Sequence, residues 1–174
     1  MEKITKKLIV YYLIAAASGI LLHFLFQWFP NPVLALVSPV RESVWEHLKL
    51  LYFPLLGAAL LLNRGGRGTG RTPWLLGIAV VCAIMLGVGY LYHVSLRGES
   101  LAVDLVLYFA LLALGFLLPR ALWPLCEWPG TDKAAVALAA LLGALIVWFT
   151  FFPLDTALFA DLSGAVRTFL TIPV

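Results

Sequence analysis

Between Ser38 and Lys49 the chain reads Ser-Pro-Val-Arg-Glu-Ser-Val-Trp-Glu-His-Leu-Lys, so Glu42, Ser43, Glu46, His47 and Lys49 lie within a few residues of one another. Side chains of these types support three kinds of chemistry. Glutamate and neutral histidine ligate zinc and related divalent metals. A carboxylate or imidazole of tuned basicity acts as a general acid or base, and a lysine beside it stabilises a developing anion. The same groups can pass protons or bind a cation during transport. His23, His93 and Asp104 are the remaining candidates, and His23, His47 and His93 are all the histidines of the chain. On sequence, Glu46 is assigned as base, with His47, Glu42 and the electrostatic partner Lys49. His23, His47 and His93 are the candidate metal ligands or proton carriers, with Ser43, Trp45 and Asp104 in support.

Helical spacing sharpens the assignment. At about 100° per residue, Glu42, Glu46 and Lys49 share one stripe of a helix, and Ser43 and His47 form the neighbouring one. Adjacent Glu46 and His47 then point about 100° apart, so only side chains from other helices can complete a site around them. No HExxH, HxxxH or GxSxG occurs. The plainer alternative is that Glu46 and Lys49, three residues apart, simply pair, and that the histidines bond to backbone at helix ends.

These residues are set in a very apolar chain. Its 174 residues are 63% hydrophobic and only 12% charged, with a mean hydropathy of +0.99. A soluble domain carries roughly a quarter charged residues, and a chain of this length cannot enclose so much apolar surface in a core of its own. A bilayer can. The sequence predicts an all-α bundle in one domain, 1–174, with five spanning helices at about 8–26, 39–62, 74–96, 101–118 and 134–152. Each approaches the roughly 17–25 residues needed to cross the hydrocarbon, and barrel-type alternation is absent. Ser38 and Pro39 read as the cap and first residue of the second helix. The stretch Trp28–Val37 reads as interfacial or re-entrant. The tail after Pro153, with Leu154, Leu158, Leu162, Val166 and Phe169 at near-helical spacing, reads as a helix on the membrane surface.

Charge gives the bundle a direction. The N-terminus, the second-to-third loop and the fourth-to-fifth loop hold eight of the twelve basic residues. By the positive-inside rule the N-terminus is cytoplasmic and the C-terminus is outside. His23, Glu42, Glu46, His47, His93 and Asp104 then all fall at the outer end. No basic block interleaved with aromatics supports nucleic-acid binding. Two cysteines, Cys82 and Cys126, make no disulfide framework.

The stretch from Ser38 to Lys49, with His23-Phe-Leu-Phe, Tyr92-His93, Asp104 and Phe149-Thr-Phe-Phe-Pro153, resembles a family of small bacterial integral membrane proteins of unknown function. Members typically read Asn-Glu-Ser-x-Trp-Glu-His-Leu-Lys at this place. Here Arg41 stands for the Asn, and the tail lacks the family's second proline and Asp-Pro motif. The resemblance implies a membrane fold and importance of the Glu-Ser-x-Trp-Glu-His segment, and no activity.

The expected function is a metal-dependent or acid–base enzyme acting on a lipid or lipid-linked substrate at the extracytoplasmic side of the bacterial cytoplasmic membrane. Its cofactor would be a divalent metal such as zinc. The alternatives are a structural or accessory subunit docking a partner membrane protein or a second copy of the chain, and a small proton-coupled transporter. The near-absence of polar residues in the inner halves of the spans speaks against the transporter.

Overall fold

The computed structural model describes residues 2–64 and 70–162. Among them are six α-helices: α1 Glu2–Trp28, α2 Pro32–Ala35, α3 Leu48–Leu62, α4 Thr72–Gly89, α5 Leu101–Leu122 and α6 Thr131–Phe151. A π-helical turn, Tyr90–Ser95, prolongs α4, and a 3-10 turn, Trp123–Glu127, prolongs α5. No strand occurs among the described residues.

Four stretches are long and apolar enough to cross a membrane: Lys6–Trp28, Thr72–Ser95, Leu101–Glu127 and Thr131–Phe151. Their outward surfaces suit lipid. Ile9, Leu13 and Leu21 on α1, Val106 and Leu117 on α5 and Leu141 on α6 are each more than half exposed. In water so much exposed apolar area would drive association. The interior is formed where α4 packs on α3, α5 and α6, and where α1 packs on α3 and α5. Leu48, Leu51, Leu55, Ile78, Val81, Leu112 and Ile146 are buried there. Glycines allow close approaches between helices. A Cβ on Gly115 of α5 would come 2.7 Å from Leu55 Cδ2 of α3. A Cβ on Gly19 of α1 would come 2.8 Å from the Leu50 carbonyl oxygen. Small residues at such crossings are the usual means of bringing membrane helices together.

The second predicted span is where sequence and structure part. Its helix begins at Leu48, not Pro39, and its 15 residues make a rod of about 22 Å. That is short of the roughly 30 Å hydrocarbon core. Residues 38–47 are turns and bends, so the helical stripes expected for Glu42, Ser43, Glu46 and His47 do not exist. Local side-chain bonds hold the chain out of a helix there, as serines and acidic residues tend to do. The Val40 N–H donates to Glu46 Oε2 at 3.0 Å, and the Glu46 N–H donates to Ser43 Oγ at 3.2 Å. Ser38 is no cap either. Its hydroxyl, fully buried, donates to the Leu22 carbonyl and accepts from Phe26 N–H, tying this segment to α1. The capping pair is Asn31-Pro32, where Asn31 Oδ1 accepts from the N–H groups of Val33 and Leu34 at the start of α2.

Two other boundaries move. α5 passes through Pro119 to Leu122 instead of ending at Leu118; the proline removes one bond, to the Gly115 carbonyl, and neighbouring helices make such a loss tolerable. The expected surface helix after Pro153 is not helical through residue 162, and its remainder lies outside the described residues. The described part instead crosses the segment before α3. Trp45 N–H donates to the Leu158 carbonyl at 3.1 Å and Leu162 N–H donates to the Glu42 carbonyl at 2.7 Å. The Trp45 ring packs on Phe149 and Phe159, with centroids 5.3 and 5.0 Å away.

Candidate metal centre

The segment 38–47 delivers its two glutamates to opposite destinations. Glu46 turns inward and is 3% exposed. Its Oε2 accepts from Lys49 Nζ at 2.8 Å. Lys49, with no exposure at all, also donates to the carbonyls of Ala35 at 2.7 Å and Ser38 at 3.1 Å. An ammonium has three protons, and all three are used. The Ala35 carbonyl lies at the end of α2, where helix carbonyls lack internal partners, so Lys49 closes that helix and neutralises Glu46 in one place.

Glu42 turns the other way. Its Oε2 lies 3.5 Å from His47 Nε2 and its Oε1 lies 3.9 Å from His23 Nε2. The two imidazoles are 5.6 Å apart between centroids. One donor atom from each of His23, Glu42 and His47 can be chosen so that all lie within 4.8 Å of one another. The side chains of all three are about a quarter exposed, into a cavity of about 660 Å³. Gln27 Nε2 reaches Glu42 Oε1 at the long distance of 3.5 Å.

The protonation of His47 follows from its other nitrogen. Nδ1 lies 2.7 Å from the Ser43 carbonyl oxygen, which only accepts. Nδ1 therefore carries the proton of a neutral ring, and Nε2 directs its lone pair at the Glu42 carboxylate. His23 Nδ1 is buried without a hydrogen-bond partner among the described residues, so nothing fixes which of its nitrogens carries the proton. His47 Nε2 and the Glu42 carboxylate face each other across a gap longer than a hydrogen bond.

A second histidine–carboxylate pair lines the same cavity. The π-helical turn carries His93, whose Nδ1 lies 2.9 Å from the Gly98 carbonyl oxygen and whose Nε2 lies 3.1 Å from Asp104 Oδ1. Single π turns recur at functional sites because they re-aim a side chain without ending the helix.

Of the residues singled out in the sequence, His23, Glu42, His47, His93 and Asp104 line one cavity. Glu46 and Lys49 are placed against each other in the interior. Ser43 is buried and holds the turn through its hydroxyl and carbonyl. Trp45 is buried under the described part of the tail, and its indole nitrogen has no partner among the described residues. Sequence reasoning missed the tail contacts to Glu42 and Trp45; Phe159 and Leu162 give no local sign of them. Arg97, in the tight turn Arg97-Gly-Glu-Ser100, also lines the cavity, and nothing in the sequence signals that.

The model of DUF6512, a family of unknown function, matches residues 1–166. The chain belongs to this family. No curated protein and no solved structure matches it. What this DUF6512 chain does must therefore be argued from its own side chains.

Proposed function

We propose that this DUF6512 protein is a metal-dependent membrane enzyme that acts on a lipid or lipid-linked substrate, with His23, Glu42 and His47 as ligands of a divalent ion such as zinc. The observation that carries the reading is the lone pair of His47 Nε2 aimed at Glu42 Oε2 from 3.5 Å with no donor between them. The donor atoms of His23, Glu42 and His47 lie within 4.8 Å of one another, so a cation among them, a metal ion or a second proton on His47, would offset that repulsion. A metal ion would draw the gaps of 3.5 and 3.9 Å in toward the donor spacing of about 3.3 Å that ordinary zinc bond lengths impose on a tetrahedral site. Two histidines and a glutamate also form a ligand set that leaves positions open for water or substrate, as catalytic rather than structural zinc sites do.

Such an ion would lower the pKa of a bound water to about 7 and polarise an ester or phosphoester oxygen. The chain's own residues supply the rest. The apolar walls of the cavity take the hydrophobic part of the substrate, and His93, oriented by the Gly98 carbonyl with Asp104 beside it, lies in the same cavity to carry a proton. In this reading the carboxylate at the site is Glu42, as a ligand, and Glu46 takes no part, because Lys49 takes up its charge. We further assign five spans to the single domain 1–174, counting α3 with its re-entrant approach as one. The protein is placed in a bacterial cytoplasmic membrane with the N-terminus inside, which puts the cavity at the extracytoplasmic side. The Glu-Ser-x-Trp-Glu-His stretch is read as the family's signature because it builds this site.

Metal analysis of protein purified in detergent tests the reading. About one zinc or similar ion per chain is expected after reloading, and the Glu42→Gln/His47→Ala variant should hold almost none. Equal metal in both, or none in the unaltered protein, overturns it.

A further inference from the structure

The cavity has a second polar feature, at the turn between the π-helical segment and α5. Arg97 and Glu99 flank Gly98, both are exposed, and both line the cavity. Neither makes an ion pair or hydrogen bond among the described residues. Exposed charges on a turn are ordinarily met by water; here both stand at the wall of the cavity, on a turn whose backbone is fixed. Arg97 is the only non-glycine residue described with positive φ, at 53°, a conformation that surrounding contacts must enforce. The enforcing contacts run from the preceding π turn. Gly98 N–H donates to the Tyr92 carbonyl at 2.8 Å, Ser100 N–H donates to the Tyr92 hydroxyl at 3.0 Å, and the Gly98 carbonyl is held by His93 Nδ1.

A guanidinium and a carboxylate held apart and unpaired match a ligand that carries both charges. Guanidinium is the side chain best suited to a phosphate, which it can meet with two parallel bonds. A carboxylate beside it suits a primary ammonium. Apart from these two residues, the histidines, Glu42, Asp104 and Tyr108, the wall is apolar, with Ile20 and Phe24 from α1, Leu50 and Leu51 from α3, and Leu105 and Leu107 from α5. Resting on the reading of this cavity as a lipid-acting site, we infer that its substrate is a zwitterionic phospholipid of the phosphoethanolamine class. Arg97 takes the phosphodiester, Glu99 takes the ammonium, and the acyl chains lie along the apolar wall. A lipid that offers a phosphate alone would satisfy Arg97 and leave Glu99 unanswered.

Binding of two short-chain lipids separates these cases. Dihexanoyl phosphatidylethanolamine and dihexanoyl phosphatidylglycerol are titrated into the detergent-purified protein and followed by calorimetry. Arg97→Gln should weaken both by about tenfold, the usual size of a lost charge-assisted contact. Glu99→Gln should weaken the ethanolamine lipid by a similar factor and leave the glycerol lipid unchanged. Equal affinity of the unaltered protein for both lipids, or an equal effect of Glu99→Gln on both, overturns the inference. So does failure of both lipids to bind. The same samples are assayed for metal. Lipid selectivity without metal would keep this inference and remove the metal centre, whereas metal without selectivity would do the reverse.

Discussion

Glu42 and Glu46 are four residues apart on one segment and live under different physics. Glu46 is 3% exposed and meets a lysine and a backbone N–H. Glu42 is 28% exposed on its side chain and faces two imidazoles at 3.5 and 3.9 Å and the Gln27 amide at 3.5 Å. The first carboxylate has every partner a buried charge needs. The second faces an open cavity with only the long contact from Gln27 as a donor. Charge at Glu46 holds backbone, and charge at Glu42 is the one the proposed ion would answer. The difference teaches that density of polar residues in a segment does not locate a site; the satisfaction of each residue does.

The largest effect that could break this contrast is on stability. Lys49→Met leaves Glu46 buried without its cation and frees the carbonyls of Ala35 and Ser38. A loss of about 3–5 kcal/mol is expected, the usual consequence of removing one partner of a buried pair. Thermal unfolding in detergent should show it. The double variant Glu46→Gln/Lys49→Met removes both charges and should recover a good part of the loss. If the double variant were no better than the single one, Glu46 would not be held by Lys49 in the way described.

Glu42→Gln is the counterpart. It keeps size and removes the charge that the histidines face. Stability should change by less than about 1 kcal/mol, as for a partly exposed site with no buried pair to break. Metal content should fall to background. A strongly destabilised Glu42→Gln protein would mean that Glu42, too, serves the fold.

Part of this was readable beforehand. α1, α4 and α6 follow from hydropathy, because bilayer thickness sets the length of an apolar run and nothing local competes. The gathering of His23, His93 and Asp104 at one end followed from counting along α1, α4 and α5. The interior of the second span was not readable. Ser38-Pro39 has the chemistry of a helix start, yet Asn31-Pro32 has it equally, and only tertiary contacts of Ser38 with Leu22 and Phe26 decide between them. Once residues 38–47 leave the helix, a wheel drawn on Glu42, Glu46 and Lys49 gives the wrong partners. The pairing of Lys49 with Glu46 survives because three residues also suffice in a tight turn.

The tail supplies a smaller test of the same contrast. Leu162 N–H donates to the Glu42 carbonyl at 2.7 Å, so the tail fixes the backbone that carries the proposed ligand and does not touch Glu46. Leu162→Pro deletes that donor. Metal affinity should drop by about tenfold, the low end for loss of a group that orients a ligand, while the unfolding temperature moves little. Competition with a fluorescent zinc chelator measures the affinity. Unchanged affinity would show that Glu42 is positioned without the tail.

Ser43→Ala should produce the least change and so marks how finely the two glutamates can be told apart. The hydroxyl accepts from Glu46 N–H at 3.2 Å, on the inward side. The Ser43 carbonyl, which orients His47 on the cavity side, is backbone and survives the substitution. Losing one buried hydroxyl acceptor should cost about 1 kcal/mol, and metal affinity should stay as it was. A fall in metal affinity larger than the fall in stability would mean that the turn transmits strain from Glu46 to His47. The two glutamates would then be one device rather than two.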